Sequence, residues 1–154
     1  MRTHRAKRRG RIYLIKAILL GSARYDVRGR PYRILAIPER LTLYRLAEVI
    51  VKSFDFYFDH CFGFYDSIWN WTESEERYEL SSDEGINGYE GGQGVRKTKT
   101  SMAFDKLGKK MLFLFDYGDE WYFAVELKGI ELPKKNANYP SIVKSVGEAP
   151  PQYG

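Results

Sequence analysis

Between residues 42 and 54 the chain carries its one convincing helical stripe. Leu43, Leu46, Ala47, Ile50 and Phe54 recur at i, i+3, i+4, i+7 and i+11, which stacks them along one side of a helix. Thr42 is placed to cap the first turn, and Arg45, Glu48 and Lys52 take the wet side. A helix that is apolar on one side must lie on something, and the other apolar runs of the chain are short, β-branched or aromatic. The fold class that follows is α+β, with one main helix packed on a sheet. A chain of 154 residues is long enough to bury such a core without disulfide or metal staples.

The strands are read from their punctuation. Residues 12 to 20 form a β-branched apolar run, residues 22 to 30 a polar link, and Tyr32 to Ile37 an alternating run that Pro38 ends. The two runs are predicted to pair as a hairpin. Residues 78 to 80 make a short strand. Lys109 to Asp116 and Trp121 to Lys128 form a second hairpin about the turn Tyr117–Glu120, with Gly118 expected to supply a positive φ. Residues 82 to 101 hold Gly85, Gly88, Gly91, Gly92 and Gly94 and read as a mobile surface loop. The segment from Pro133, with Pro140, Pro150 and Pro151, is expected to wrap the domain as an irregular tail.

Half the positions from 54 to 71 (FDFYFDHCFGFYDSIWNW) are aromatic. Phe56, Phe58, Phe62 and Phe64 share one parity, Tyr57 and Tyr65 the other. Rings on an open sheet can stack on unpaired bases, but stacking platforms carry Lys and Arg between the rings. Here the interleaved charges are Asp55, Asp59 and Asp66, which repel phosphate, so the rings are assigned to the core beneath the helix.

The net charge of +5 is concentrated at one end. Arg2, Arg5, Lys7, Arg8, Arg9 and Arg11 supply six positive charges, and removing those six from +5 leaves −1 for everything from Ile12 onward. Residues 1–11 are therefore a basic flexible arm and residues 12–154 a single α+β domain. A solvated terminus is the favoured reading of the arm, and non-specific attraction to phosphate the alternative. The basic start followed by an apolar run superficially resembles a signal peptide, but Lys16 interrupts the run and Arg24 follows it, so a strand fits better. No stretch approaches the ~18 to 20 apolar residues that cross a bilayer. Cys61 is the one cysteine, too few for a disulfide or a Cys-based zinc site, which fits a reducing, cytoplasmic setting.

Three blocks then resemble a known family. LTLYRLAEVIVKSFDFYFDHCFGFYD, FLFDYGDEWYFAVEL and YPSIVKSVGEAPPQY, in that order, are similar to the Ri-plasmid open-reading-frame-three family, whose members are often labelled transposon-associated passenger proteins of TnpR-like type. The resemblance implies a β-grasp-like arrangement of the mixed sheet and no established reaction. The positions it carries over are Leu46, His60, Phe64, Asp116, Gly118, Asp119, Trp121, Glu126, Pro140, Gly147, Pro150 and Pro151. Many members have Glu-Asp after the double proline, where this chain has Gln152 and Tyr153. A serine recombinase needs a nucleophilic serine ringed by arginines, and none of the arginines outside the arm falls in a serine-centred motif.

Two constellations carry chemistry. Asp116, Asp119, Glu120 and Glu126 with His60 could hold a divalent ion or do acid–base work, but Asp-Gly-Asp is also what tight turns use. The turn reading is favoured. His60 and Cys61 are adjacent, which in extended backbone sends their side chains apart and speaks against a Cys-His nucleophile pair; a His60 whose ring nitrogens are satisfied by Asp59, Asp66 or backbone fits better. The expected function is a non-catalytic binding or interaction domain with its groove at His60, Asp116, Gly118, Asp119, Trp121 and Glu126. Nucleic-acid binding through the arm and metal-assisted hydrolysis through His60 and the carboxylates are the alternatives. No cofactor or metal is assigned, the partner is left open between nucleic acid and protein, and no membrane association is expected.

Overall fold

A computed structural model describes residues 10–83 and 93–154. The fold is α+β, a mixed eight-stranded sheet with few helices. Strand β1 (Ile12–Ser22) is followed by β2 (Tyr32–Pro38), helix α1 (Leu43–Ser53) and β3 (Phe62–Tyr65). After a single 3-10 turn (Trp71–Glu73) come β4 (Arg77–Glu79), α2 (Leu80–Asp83), β5 (Gln93–Gly94) and α3 (Thr100–Ala103). The chain ends with β6 (Lys110–Phe115), β7 (Trp121–Glu131) and β8 (Ser141–Val146). Their order across the sheet is β5-β4-β3-β6-β7-β1-β2-β8, antiparallel throughout except between β4 and β5.

Parity explains the two faces. On β1 the odd residues Tyr13, Ile15, Ala17 and Leu19 point into the main core, as do Met111, Phe113 and Phe115 on β6 and Trp121, Phe123, Val125 and Leu127 on β7. Helix α1 lays Leu43, Leu46, Ala47, Ile50 and Val51 over this face, and Thr42 caps it by accepting the Arg45 amide at 3.2 Å. The aromatic run fills the space between. Phe54, Phe56, Phe62 and Phe64 are buried with the helix, and Phe58 packs partly buried beside them. Each fully buried ring contributes roughly 1.5–3 kcal/mol by leaving water. Tyr57, of the other parity, stands in solvent.

The opposite face carries a smaller cluster, Tyr65, Leu112 and Leu114, covered by Ile68 and Trp71 from the link between β3 and β4. Tyr65 folds back over Gly63 so that its hydroxyl reaches Glu79, the residue paired with Gly63 across the ladder, at 2.6 Å. The Tyr117 hydroxyl lies 2.6 Å from the same oxygen. A Cβ on residue 63 would come within 2.8 Å of both phenol oxygens, so only glycine fits there.

Three expectations are corrected. The segment after Pro133 is not wholly irregular, because Ser141–Val146 adds to the free edge of β2 as an antiparallel strand. Arg33 ties down the end of that strand. Its buried guanidinium donates to the Ser53 carbonyl at the end of α1 (2.8 Å) and to the Val146 and Gly147 carbonyls at the end of β8 and just beyond it (3.3 and 3.1 Å). Within 82–101, Gln93–Gly94 is a strand and Thr100–Ala103 a helical turn, while Gly85, Gly88, Gly91 and Gly92 lie outside the described residues. Finally, the positive φ at the β6–β7 turn belongs not to Gly118 but to Asp116 (66°) and Glu120 (50°). An aspartate tolerates that region because its short side chain bonds the local backbone.

Candidate functional site

The β6–β7 turn is built around the Asp116 carboxylate. Its Oδ1 accepts the Gly118 amide at 3.0 Å and the Asp119 amide at 3.2 Å, and the Asp116 carbonyl accepts the Glu120 amide at 2.6 Å. Gly118 serves by its lack of bulk, since a Cβ there would lie 3.3 Å from Asp116 Oδ1. Asp119 is buried, and Arg24 from the β1–β2 link donates to its carboxylate at 3.3 Å. The Asp119 carbonyl accepts the Ser22 hydroxyl at 2.7 Å, which fastens the turn to the end of β1. Trp121 is fully buried between Tyr25, stacked at 5.6 Å, and Phe56, edge-on at 4.8 Å. Its indole Nε1 has no hydrogen-bond partner among the described residues.

His60 sits over this turn from the segment before β3. Its Nε2 lies 3.5 Å from Asp116 Oδ2 and its Nδ1 2.6 Å from Asp59 Oδ1, so the imidazole bridges two carboxylates. The C-terminal segment closes over the same place. Gln152 pairs with the Tyr57 backbone like a strand neighbour, accepting its amide at 2.7 Å and donating to its carbonyl at 3.1 Å. The Tyr153 hydroxyl donates to Asp59 Oδ2. Burial alone would raise the Asp59 carboxyl, but the hydrogen bonds from Tyr153 and His60, with the imidazole's charge, outweigh it and hold it below the usual carboxylate range. The same bond to Asp59 pushes the Tyr153 phenol up to about 12.

Of the six groove residues read from the sequence, His60, Asp116, Gly118, Asp119 and Trp121 belong to one neighbourhood, with His60 and Gly118 exposed and the other three buried. Glu126 does not join them. It pairs with Lys110, five residues along the ladder from the Phe115–Trp121 pair, ~17 Å away at strand spacing. There it meets the Lys110 and Lys128 ammonium groups at 3.8 and 3.5 Å. Among the described residues no group of three or more His, Cys, Asp and Glu side chains is placed to hold a metal ion. Of the arm, Arg11 is described and bound to Glu39 through its backbone amide and its guanidinium. Arg2, Arg5, Lys7, Arg8 and Arg9 lie outside the described residues.

Beside His60, on the helix side, a cavity of about 360 Å³ is lined by Tyr44, Phe58, Cys61, Leu80 and Arg96, and the Arg96 guanidinium lies over the Tyr44 ring at 4.6 Å. Gln152, Tyr153 and Arg96 went unnoticed in the sequence as site residues. The signal for Gln152 and Tyr153 was present, since they stand where the family's acids are absent. Asp59, besides being a charge between rings, is one of the partners the sequence offers for the His60 ring nitrogens, and it stands 2.6 Å from His60 Nδ1.

Sheet order and aromatic core together define an α+β protein built on a mixed eight-stranded sheet. The family model for plasmid pRiA4b ORF-3-like protein matches residues 25–153, and the chain belongs to that family. The match starts at Tyr25, past β1. Among solved structures, the chain is similar to a protein of unknown function from Methanosarcina mazei Go1, with 20% identity and a TM-score of 0.67 over 88% of this chain and 70% of that one. At that identity the likeness shows the fold alone. No curated protein matches. No helix among the described residues is long and apolar enough to cross a membrane.

Proposed function

We propose that this protein is a non-catalytic binding or interaction domain of a plasmid- or transposon-associated family, acting in the cytoplasm. In this reading residues 12–154 form one unit, a main helix on a β-grasp-like sheet, with residues 1–11 as a flexible arm. Recognition is assigned to the rim formed by His60 and Gly118, with the adjoining cavity at Tyr44, Phe58 and Arg96. Asp116, Asp119 and Trp121 hold that rim from beneath.

The observation that carries the reading is where the acids spend their oxygens. Asp116 caps a turn, Asp119 is paired with Arg24, and Glu126 sits between two lysines on the far side of the sheet. A hydrolytic centre needs carboxylates converging on one open point, and this placement gives the metal-assisted alternative no support. The test is chemical cross-linking of the intact protein in its native host, followed by the double variant His60→Ala, Arg96→Ala. A partner captured by the wild type and lost from a variant with unchanged thermal unfolding is expected. Equal capture of every partner by both proteins would remove the proposal.

A further inference from the structure

The sheet face opposite α1 is only part covered, and beside the Ile68–Trp71 link it leaves a cavity of about 460 Å³. That volume lies within the ~300–1,000 Å³ typical of small-ligand sites. Its floor is Leu20, Gly21, Leu112 and Tyr122, and its walls are the Trp69 and Trp71 rings. Trp71 is held by Tyr65 and Tyr117 at centroid distances of 5.0 and 5.7 Å, and the Tyr122 hydroxyl is fixed by donating to Glu120 at 2.7 Å. One wall, Trp71, and the Tyr122 ring of the floor are thus set in place. Trp69 is 88% exposed, an indole left in water beside a groove it could close.

Two further features give the cavity a chemistry. Arg30 lies on its rim, no lining residue is acidic, and the guanidinium has no ion pair or hydrogen bond among the described residues. Gly21 lies at a β-bulge inside β1, and a Cβ built there meets nothing within 4 Å. A glycine inside a strand weakens it unless something needs the space above the backbone.

We infer that this cavity is a binding site for a small planar aromatic anion, stacked between the indoles with its carboxylate, sulfonate or phosphate on Arg30. Aromatic walls supply offset stacking, and a lone uncompensated guanidinium selects a planar anionic group. The site is separate from the His60 rim and does not depend on it, since the two lie on opposite faces of the sheet.

The experiment uses the full chain and two probes, 2-naphthoate and its neutral counterpart 2-naphthylmethanol, followed by NMR of the three indole Nε1–H resonances. Expected are saturable shifts of the Trp69 and Trp71 signals with 2-naphthoate, while the buried Trp121 signal stays in place. Arg30→Gln weakens 2-naphthoate about tenfold, the loss of one charged contact, and leaves 2-naphthylmethanol unchanged. Trp69→Ala weakens both about fivefold. Gly21→Leu, which fills the floor, abolishes both. No saturable shift, or a shift confined to Trp121, would overturn the site. Equal affinity for the two probes with no effect of Arg30→Gln would overturn its preference for an anion.

Discussion

At Asp116 the backbone enters the left-handed region, a conformation an L-residue keeps only when its surroundings over-determine it. Two amides on its carboxylate and one on its carbonyl do that. Gly118, by contrast, needs no special φ and is short only so that the carboxylate can approach. Gly118→Ala is therefore expected to cost less than about 1 kcal/mol in urea unfolding, well below a residue forced into positive φ. A loss of several kcal/mol would restore the positive φ at Gly118 that the sequence suggested. Asp59 offers a second test at this scale. Its carboxyl is held below its usual range in the folded state. The stability it contributes is therefore present above the unfolded carboxylate's range and lost as pH falls through the lower folded value. The difference in melting temperature between wild type and Asp59→Asn should be present at neutral pH and vanish in strong acid. A difference independent of pH would contradict it. Sequence alone named Asp116 and Asp119 as turn formers, since Asp-Gly-Asp chemistry is local. It offered Asp59 as a partner for His60 but could not complete the bridge on to Asp116, because that depends on how two segments far apart in the chain meet.

Among the elements, helix α1, the β1–β2 and β6–β7 hairpins and the aromatic core were legible because each repeats a period or ends on a turn residue. Strand β8 was not. Four prolines and polar surroundings masked it, and its end is tied down by Arg33, a long-range contact with no local signature. A guanidinium at a helix C-terminus meets the negative end of the dipole as well as the carbonyls it bonds. Arg33→Met, similar in bulk, leaves those carbonyls without their donor and should destabilise the protein by about 2–4 kcal/mol, with hydrogen exchange of β8 accelerating first. Slowed or unchanged exchange in β8 would show that the strand is held by other means. Gly63 was read only as part of an aromatic run, although Tyr65 and Tyr117 both lean on it. Gly63→Ala should cost about 1–3 kcal/mol through overpacking, and a neutral substitution would mean the two phenols move aside freely.

Across the whole molecule the two faces of the sheet have different work. One is sealed by α1 and the rings from Phe54 to Phe64, and the other stays part open beside Trp69. The arm's reading as a nucleic-acid contact also narrows, because Arg11 is already committed to Glu39. Five basic residues remain ahead of it, so duplex binding through the arm should show a salt slope no steeper than about −4.5 on a log–log plot. Substituting Arg2, Arg5, Lys7, Arg8 and Arg9 should abolish that binding, whereas duplex affinity that survives would place the contact elsewhere. Beneath all of these readings lies one physical point, that the hairpin's acids hold the chain in shape rather than await a ligand. Urea unfolding of Asp116→Ala beside the wild type measures it most directly. A loss of about 2–3 kcal/mol with an unchanged slope is expected, from two missing caps and a Cβ left at positive φ. An unaltered or raised midpoint would contradict it, since carboxylates gathered for chemistry are ones the fold does better without.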